Sequence, residues 1–388
     1  MNEETELLLQ LRQMPEIFEL IETASESELV LQNRLRQEYS DGLVRAALSL
    51  VELRKRGQKK FSRADSMWLD RRGLEQATPE AVAIHKAKRF SGRVSDYCTG
   101  IGADAVALAA HCDVTGADIN PAACLRAKWN AEVYGVDSRF DIVCADVERL
   151  TSPGGLVHVD PDRRTGRAGS RSLRIEDSVP SLDTLKRIMR EFEGGAIKLS
   201  PASNFVGKFQ DVEIELVSLA GEAKEATIWF GSLATPGLWR ATALPADETL
   251  AGDPLSAYAD MSAVGRYVYD PNPAIVRAGL IDLLSSQTEL ARLDDAEEYL
   301  TSDQLVNSAF VQPFEVLAEL PNNDRTIRKF FRDANFGQVE IKCRHIPIQV
   351  ETVRRKLQLD GDAAGVLIFA RVAGKARAIV CRRVTLFD

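Results

Sequence analysis

Asp96, Cys98, Gly100, Gly102 and Asp104, at alternating positions, carry the densest chemical signal in the chain. Glycines let the backbone adopt left-handed angles and approach a ligand closely. Where such a turn opens a helix, free N–H groups and the helix dipole favour negative charge. The next apolar run ends on Asp118, and a carboxylate at a strand tip can accept both hydroxyls of a ribose. The set suits a nucleoside. It is not a dinucleotide fingerprint, because Ala105 stands where G-x-G-x-x-G needs its third glycine. The acids on either side of the glycines suit a ligand that also carries an amino acid, since a carboxylate can hold its ammonium group.

The surrounding pattern supplies elements to position these residues. Apolar runs at 94–98, 140–145, 156–159 and 194–199, and a second run ending on Asp118, read as strands, and the run at 140–145 closes on Asp146. Asn120 and Pro121 stand in cap and first-turn positions of a helix over 122–134. Segments 213–219 and 226–230 read as a hairpin turning at Gly221. Strand–helix alternation at this spacing predicts an α/β fold with a doubly wound, Rossmann-like sheet. A nucleotide-binding domain of another kind is the alternative reading.

The register Asp96-x-x-x-Gly100-x-Gly102 resembles the first motif of class I S-adenosylmethionine-dependent methyltransferases. That resemblance implies a seven-stranded methyltransferase sheet and S-adenosylmethionine as cofactor. It implies cofactor contacts from Asp96, Cys98, Gly100, Gly102, Asp104, Asp118 and Ile119. Asp146, with Val147 beside it, is implied to bind the adenine amino group. Residues 72–78 resemble the entry motif of the same group, which covers the methionine end of the cofactor. Glu75, Gln76 and Thr78 are therefore further candidates, although capping before Pro79 also explains Thr78.

Chemistry is expected after the fourth strand, because ligands of open α/β sheets bind beyond the carboxyl ends of the strands. There the chain reads Asp160-Pro161-Asp162-Arg163. Amine methyltransferases often carry Asp/Asn-Pro-Pro-Tyr/Phe at this point, the acid or amide accepting hydrogens of the target NH₂ and the ring stacking on the base. Here the aromatic is missing, and an arginine guanidinium is the available stacking group. Asp160 is the expected orienting residue, with Pro161, Asp162, Arg163, Arg164 and Arg167 as substrate contacts. Lys198 ends the fifth strand, so it can approach Asp160. A Lys–Asp arrangement resembles that of ribose 2′-O-methyltransferases, with Lys86 or Lys88 as a possible second lysine. A purely structural Lys198–Asp160 salt bridge is the competing reading.

Composition frames the whole. The chain has 388 residues, 45% of them hydrophobic, and a net charge of −8. Six cysteines without a C-x-x-C pair and four histidines without metal spacing predict reduced thiols and no metal. An acidic start without a signal-peptide pattern, and no apolar run long enough for a membrane span, predict a cytoplasmic protein with no membrane partner. Charge is polarised near the C-terminus: 15 acids against 3 Lys/Arg over 246–324, then 14 Lys/Arg against 6 acids over 325–388. The basic stretch resembles the THUMP-like domain fused to some bacterial methyltransferases. That implies RNA, rRNA or tRNA, as partner, with Arg354, Arg355 and Lys356 among the contacts. Docking of the basic end onto the acidic segment is the alternative. The expected organisation is a helical domain (1–70), a methyltransferase domain (71–245), an acidic α+β segment (246–324) and a basic α+β THUMP-like domain (325–388). An inactive RNA-binding methyltransferase fold and a small-molecule methyltransferase are the other functions considered.

Overall fold

The computed structural model describes residues 3–163 and 174–384. They form two compact units, Met1–Glu213 with Lys224–Pro236, and Ile214–Ala223 with Gly237–Asp388.

The first unit opens with helices α1 (Glu3–Gln13), α2 (Glu16–Glu22), α3 (Glu28–Leu35) and α4 (Asp41–Gly57). Their apolar faces share one core with Trp68, Ile101 and Trp129, so the helices sit on the glycine-loop side of the domain. The Trp68 and Trp129 rings meet edge to face at 4.7 Å, with the Arg12 guanidinium over both. Two short helices follow, α5 (Arg71–Gln76) and α6 (Glu80–Ala87), before β1 (Arg93–Tyr97). Alternation then sets in: α7 (Ala103–Ala109), β2 (Asp113–Asp118), α8 (Pro121–Tyr134), β3 (Phe140–Cys144) and β4 (Leu156–Val159). Next come the two-residue strands β5 (Asp162–Arg163) and β6 (Ser178–Val179), then α9 (Leu182–Glu191) and β7 (Gly194–Leu199). The chain then passes through β8 (Glu213–Leu219), which belongs to the second unit, and the last strand here is β9 (Glu222–Gly231).

Within this unit the strand order is β9-β7-β4-β1-β2-β3. All neighbours are parallel except the β7–β9 pair. The chain leaves β1 toward β2 and β3 on one side and returns as β4 on the other. That reversal opens a crevice at the strand ends, where ligands bind in open α/β sheets. Strands covered on both faces lose hydrophobic alternation, and β4 is buried at all four positions. Seven strands were expected in this sheet; six lie in the first unit, because β8 clusters with the second, where it pairs in parallel with β10 (Trp239–Leu244).

The second unit continues with β11 (Glu248–Gly252), which pairs with β10. A separate sheet has the order β13-β14-β12-β15-β18-β17-β16. Its strands are β12 (Tyr267–Pro271), β13 (Ala291–Arg292), β14 (Leu300–Ser302), β15 (Val311–Pro321), β16 (Phe336–Cys343), β17 (Ala363–Val372) and β18 (Lys375–Arg383). The β17–β18 hairpin turns at Ala373 and Gly374, both at positive φ, and Lys375 already pairs with Val372. Helices α10 (Pro273–Ala278) and α11 (Ile281–Thr288) precede β13, while α12 (Asp324–Asp333) and α13 (Val350–Lys356) flank β16. Ile327, Phe331 and Val353 pack α12 and α13 against Leu367, Phe369 and Val380.

Candidate active site

A cleft of about 620 Å³ lies in the first unit at the carboxyl ends of the strands. Gly102, at φ 84°, starts α7, and a Cβ there would stand 3.0 Å from the Ala127 backbone, so only glycine lets α7 and α8 pack this closely. Cys98 also has positive φ, at 61°, an uncommon conformation for a side-chain-bearing residue and of a kind that clusters at functional sites. Its thiol is pushed up, first by burial and then by the carboxylates of Asp118, Asp160, Asp96 and Asp162.

Asp118 lines the cleft at the tip of β2. Its carboxylate accepts N–H groups from Gly100 and Asn120, both at 2.8 Å, so the acid and the glycine loop fix one another. Each oxygen retains lone-pair capacity for a further donor. Burial raises the Asp118 pKa, while the two N–H groups pull it down. Ile119, next in the chain, is 71% exposed and lines the same cleft with Val147 and Asp146. Asp146 caps a short 3-10 turn through Glu148 N–H at 3.0 Å. An acid beside exposed aliphatic surface and an open glycine turn fits a ribose with its base.

The acids flanking the glycines lie differently. Asp96 is buried behind the cleft wall, 2.6 Å from Nδ1 of the equally buried His158, its neighbour across the β1–β4 pair. Asp104 does line the cleft. Its carboxylate accepts the Thr78 hydroxyl at 2.6 Å and pairs with Lys86 at 2.9 Å. Burial raises the Asp104 pKa, but Lys86, His158 and Lys198 more than offset it, holding the carboxyl well below its usual range.

Lys198 Nζ donates to Asp160 Oδ2 at 2.6 Å and to the Gln76 carbonyl at 3.4 Å, and stands 3.9 Å from Asp104. Burial lowers its pKa, yet Asp160, Asp104 and Glu225 more than compensate, so it is held as an ammonium. Burial pushes the Asp160 carboxyl up, against the pull of Lys198. Pro161 lines the cleft beside it. Asp162 accepts the Gln76 side-chain amide at 2.9 Å, and Arg72 pairs with its other oxygen. Arg163 pairs with Ser178 through the backbone, while Arg164 and Arg167 lie outside the described residues. Glu75 lines the cleft on the α5 side.

Several residues that position the site escaped the sequence reading. Lys60 reaches the C-terminus of α5 and donates to the carbonyls of Leu74, Glu75 and Ala77 at 2.7–3.1 Å. Buried Asn130 donates to Trp68 and Ile101 carbonyls and accepts Trp68 N–H, joining α8 to the glycine loop. His158 was signalled as a polar residue inside the apolar run of β4, whereas Lys60 and Asn130 lie among other polar residues and no local pattern marks them.

In the second unit the basic stretch is partly neutralised from the acidic one. Arg344 pairs with Asp270 and Glu298 at 2.6 and 2.7 Å, Lys342 with Asp270 at 2.9 Å, and Arg382 with Glu315 at 2.6 Å. Arg354 pairs with Glu351 at 3.1 Å and Lys356 with Asp324 at 2.5 Å. Exposed Arg325, Lys329 and Arg355 make no ion pair among the described residues.

The sheet order, the glycine turn after β1 and the acid at the tip of β2 define an α/β nucleoside-binding enzyme. A family model described as RNA cap guanine-N2 methyltransferase matches residues 91–178, and one described as THUMP domain-like matches residues 311–383. A Mycobacterium tuberculosis protein described as an uncharacterized S-adenosylmethionine-dependent methyltransferase is 30% identical over 329 residues, covering 82% of this chain and 89% of its own length. Trimethylguanosine synthase of Schizosaccharomyces pombe is 34% identical over 94 residues, 22% of this chain and 39% of that protein. A solved Porphyromonas gingivalis W83 structure ascribed to the methyltransferases superposes with a TM-score of 0.78 at 18% identity, covering 96% of this chain and 99% of that one. The chain belongs to the S-adenosylmethionine-dependent methyltransferases, and it carries a THUMP-like region at its C-terminus. No helix among the described residues is long and apolar enough to cross a membrane.

Proposed function

We propose that this enzyme methylates an exocyclic amine of an RNA base, in rRNA or tRNA of the cytoplasm. The observation that carries the choice of an amine is Lys198, held as an ammonium by Asp160 and Asp104. A charged lysine cannot take a proton from a ribose hydroxyl. Asp160 keeps a carboxylate oxygen not engaged by Lys198, which is what an amine needs: an acceptor to orient its N–H groups.

Asp118, with Ile119, Asp146 and Val147, would hold the adenosine of the cofactor. Gly100 and Gly102 would bring the backbone against it, and α5 with Thr78 would close the methionine end. The cofactor supplies a methyl group on a sulfonium, so the reaction needs alignment and a route for one proton. Asp160 accepts one N–H of the target amine and turns its lone pair toward that methyl. As the N–C bond forms and the S–C bond breaks, the surplus proton passes to the Asp160 carboxylate or to solvent. Burial has raised the pKa of Asp160, which makes it the better base.

RNA as substrate is supported by the family described as RNA cap guanine-N2 methyltransferase, by the THUMP-like match and by Arg325, Lys329 and Arg355 on α12 and α13, exposed and without an ion pair among the described residues. Asp160→Asn, which keeps a carbonyl acceptor, should retain partial methyl transfer in single-turnover assays on bulk RNA. Complete loss with cofactor binding intact would favour the hydroxyl.

A further inference from the structure

Five charged side chains of alternating sign run from the cleft into the interior of the first unit: Asp160, Lys198, Asp104, Lys86 and Glu225. Successive separations are 2.6, 3.9, 2.9 and 2.8 Å. Lys86 is only 3% exposed and Glu225 1%, so both are buried, although Glu225 also borders the cleft. The members come from the loop after β4, β7, α7, α6 and β9. Thr227 donates its hydroxyl to Glu225 Oε1 at 2.8 Å, and Thr78 donates to Asp104. A buried carboxylate draws whichever cation can reach it, since isolated charge is costly in low dielectric. Asp104 has two within reach, Lys86 on one side and Lys198 on the other.

We infer that Lys86 is a positioning residue: by satisfying Asp104 from inside, it leaves the Lys198 ammonium to pair with Asp160, while Glu225 holds Lys86 in place. Lys86 touches neither substrate nor cofactor in this account. Its catalytic meaning rests on the proposed role of Asp160; the charge series stands without it. Without Lys86, Asp104 competes for Lys198, and Asp160 loses its close cation. The groups acting on Asp160 are Lys198 from β7, Asp104 from α7 and His158 from β4; the nearby Cys98 thiol, itself pushed up by Asp160, stays neutral. Fewer cations among them mean that Asp160 ionises at higher pH. Removing the Glu225 charge acts in the opposite sense, because Lys86 then belongs to Asp104 alone.

The test is a titration of Asp160 in the full chain, followed by NMR with ¹³C at the aspartate carboxyl carbons. The Asp160 resonance is assigned by its loss in Asp160→Asn. Lys86→Met should raise the Asp160 midpoint by about one pH unit or more, and Glu225→Gln should lower it. The acidic limb of the pH–rate profile for methyl transfer to bulk RNA should move to higher pH in Lys86→Met by about the same interval, with the plateau rate kept. A midpoint unmoved by both changes, or moved the same way by both, overturns the inference. Should Lys86→Met fail to fold by circular dichroism, Glu225→Gln decides alone, and absence of a downward movement overturns it. Failure of the proposed function looks different: Asp160→Asn would transfer methyl groups undiminished while the titration result stood.

Discussion

Asp162 accepts the side-chain amide of Gln76 at 2.9 Å, tying the loop after β4 to a helix 86 residues earlier. Arg72 closes on the other carboxylate oxygen. The acid stands where the Asp/Asn-Pro-Pro-Tyr/Phe pattern has its second proline, and it has a structural use here: it anchors α5, whose C-terminal residues line the cleft. Asp162→Ala should therefore raise KM for RNA and for cofactor several-fold while changing kcat little, in steady-state assays with each varied separately. A fall in kcat at unchanged KM would place Asp162 in the chemical step instead.

Asp118→Ala should weaken S-adenosylmethionine binding by about tenfold or more, since hydrogen bonds to a charged acceptor contribute roughly 1.5–3 kcal/mol each. The structure adds a second cause, because Gly100 and Asn120 lose their anchor as well. Calorimetry measures the loss directly, and NADH should show no binding to the parent protein.

Lys198→Met should act through pH. Burial raises the Asp160 pKa and Lys198 opposes that rise, so losing the lysine moves Asp160 further up. The acidic limb of the variant's pH–rate profile should lie at higher pH than the parent's, and its rate should approach the parent's as pH rises and Asp160 regains its charge. A defect equal at all pH values would mean that Lys198 acts on the acceptor itself.

Arg325, Lys329 and Arg355 are the cations most available to phosphates. Changing all three to Glu should weaken RNA binding and reduce its salt slope by about 2, taking ~0.7 per phosphate contact on single strands. Arg344→Gln should instead lower stability, because Asp270 and Glu298 each lose one of their ion-pair partners, Asp270 keeping only Lys342. Filter binding over a salt series separates the two outcomes.

Much of the first unit was legible because each apolar run ended on a polar residue of defined use: Asp118, Asp146, Asp160 or Lys198. Asp96 was harder to place. A strand buried on both faces has no alternation to show which way a side chain points, and Asp96 turns inward to His158. Bonds such as Arg72 to Asp162 and Lys86 to Glu225 join residues distant in sequence, so no local pattern records them. The charge polarity of the C-terminal region was visible, but internal pairing and RNA contact leave the same composition. The structure shows internal pairing on the sheet, while Arg325, Lys329 and Arg355 on α12 and α13 make no ion pair among the described residues.

Asn130→Ala tests the link between α8 and the glycine loop. It removes the partner of three buried backbone groups, each costing roughly 1–3 kcal/mol when left unsatisfied. Urea unfolding should show a loss of about 3 kcal/mol or more, far above the effect of a surface change.

The most direct measurement is transfer of labelled methyl from S-adenosylmethionine to bulk RNA from cells lacking the gene, followed by digestion and mass spectrometry of the nucleosides. The label should appear in a nucleoside methylated on an exocyclic base nitrogen, absent from the reaction with Asp118→Ala at limiting cofactor. Label in a 2′-O-methyl nucleoside would contradict the assignment of the acceptor, and a folded, cofactor-binding enzyme that labels no RNA at all would contradict the account of its substrate.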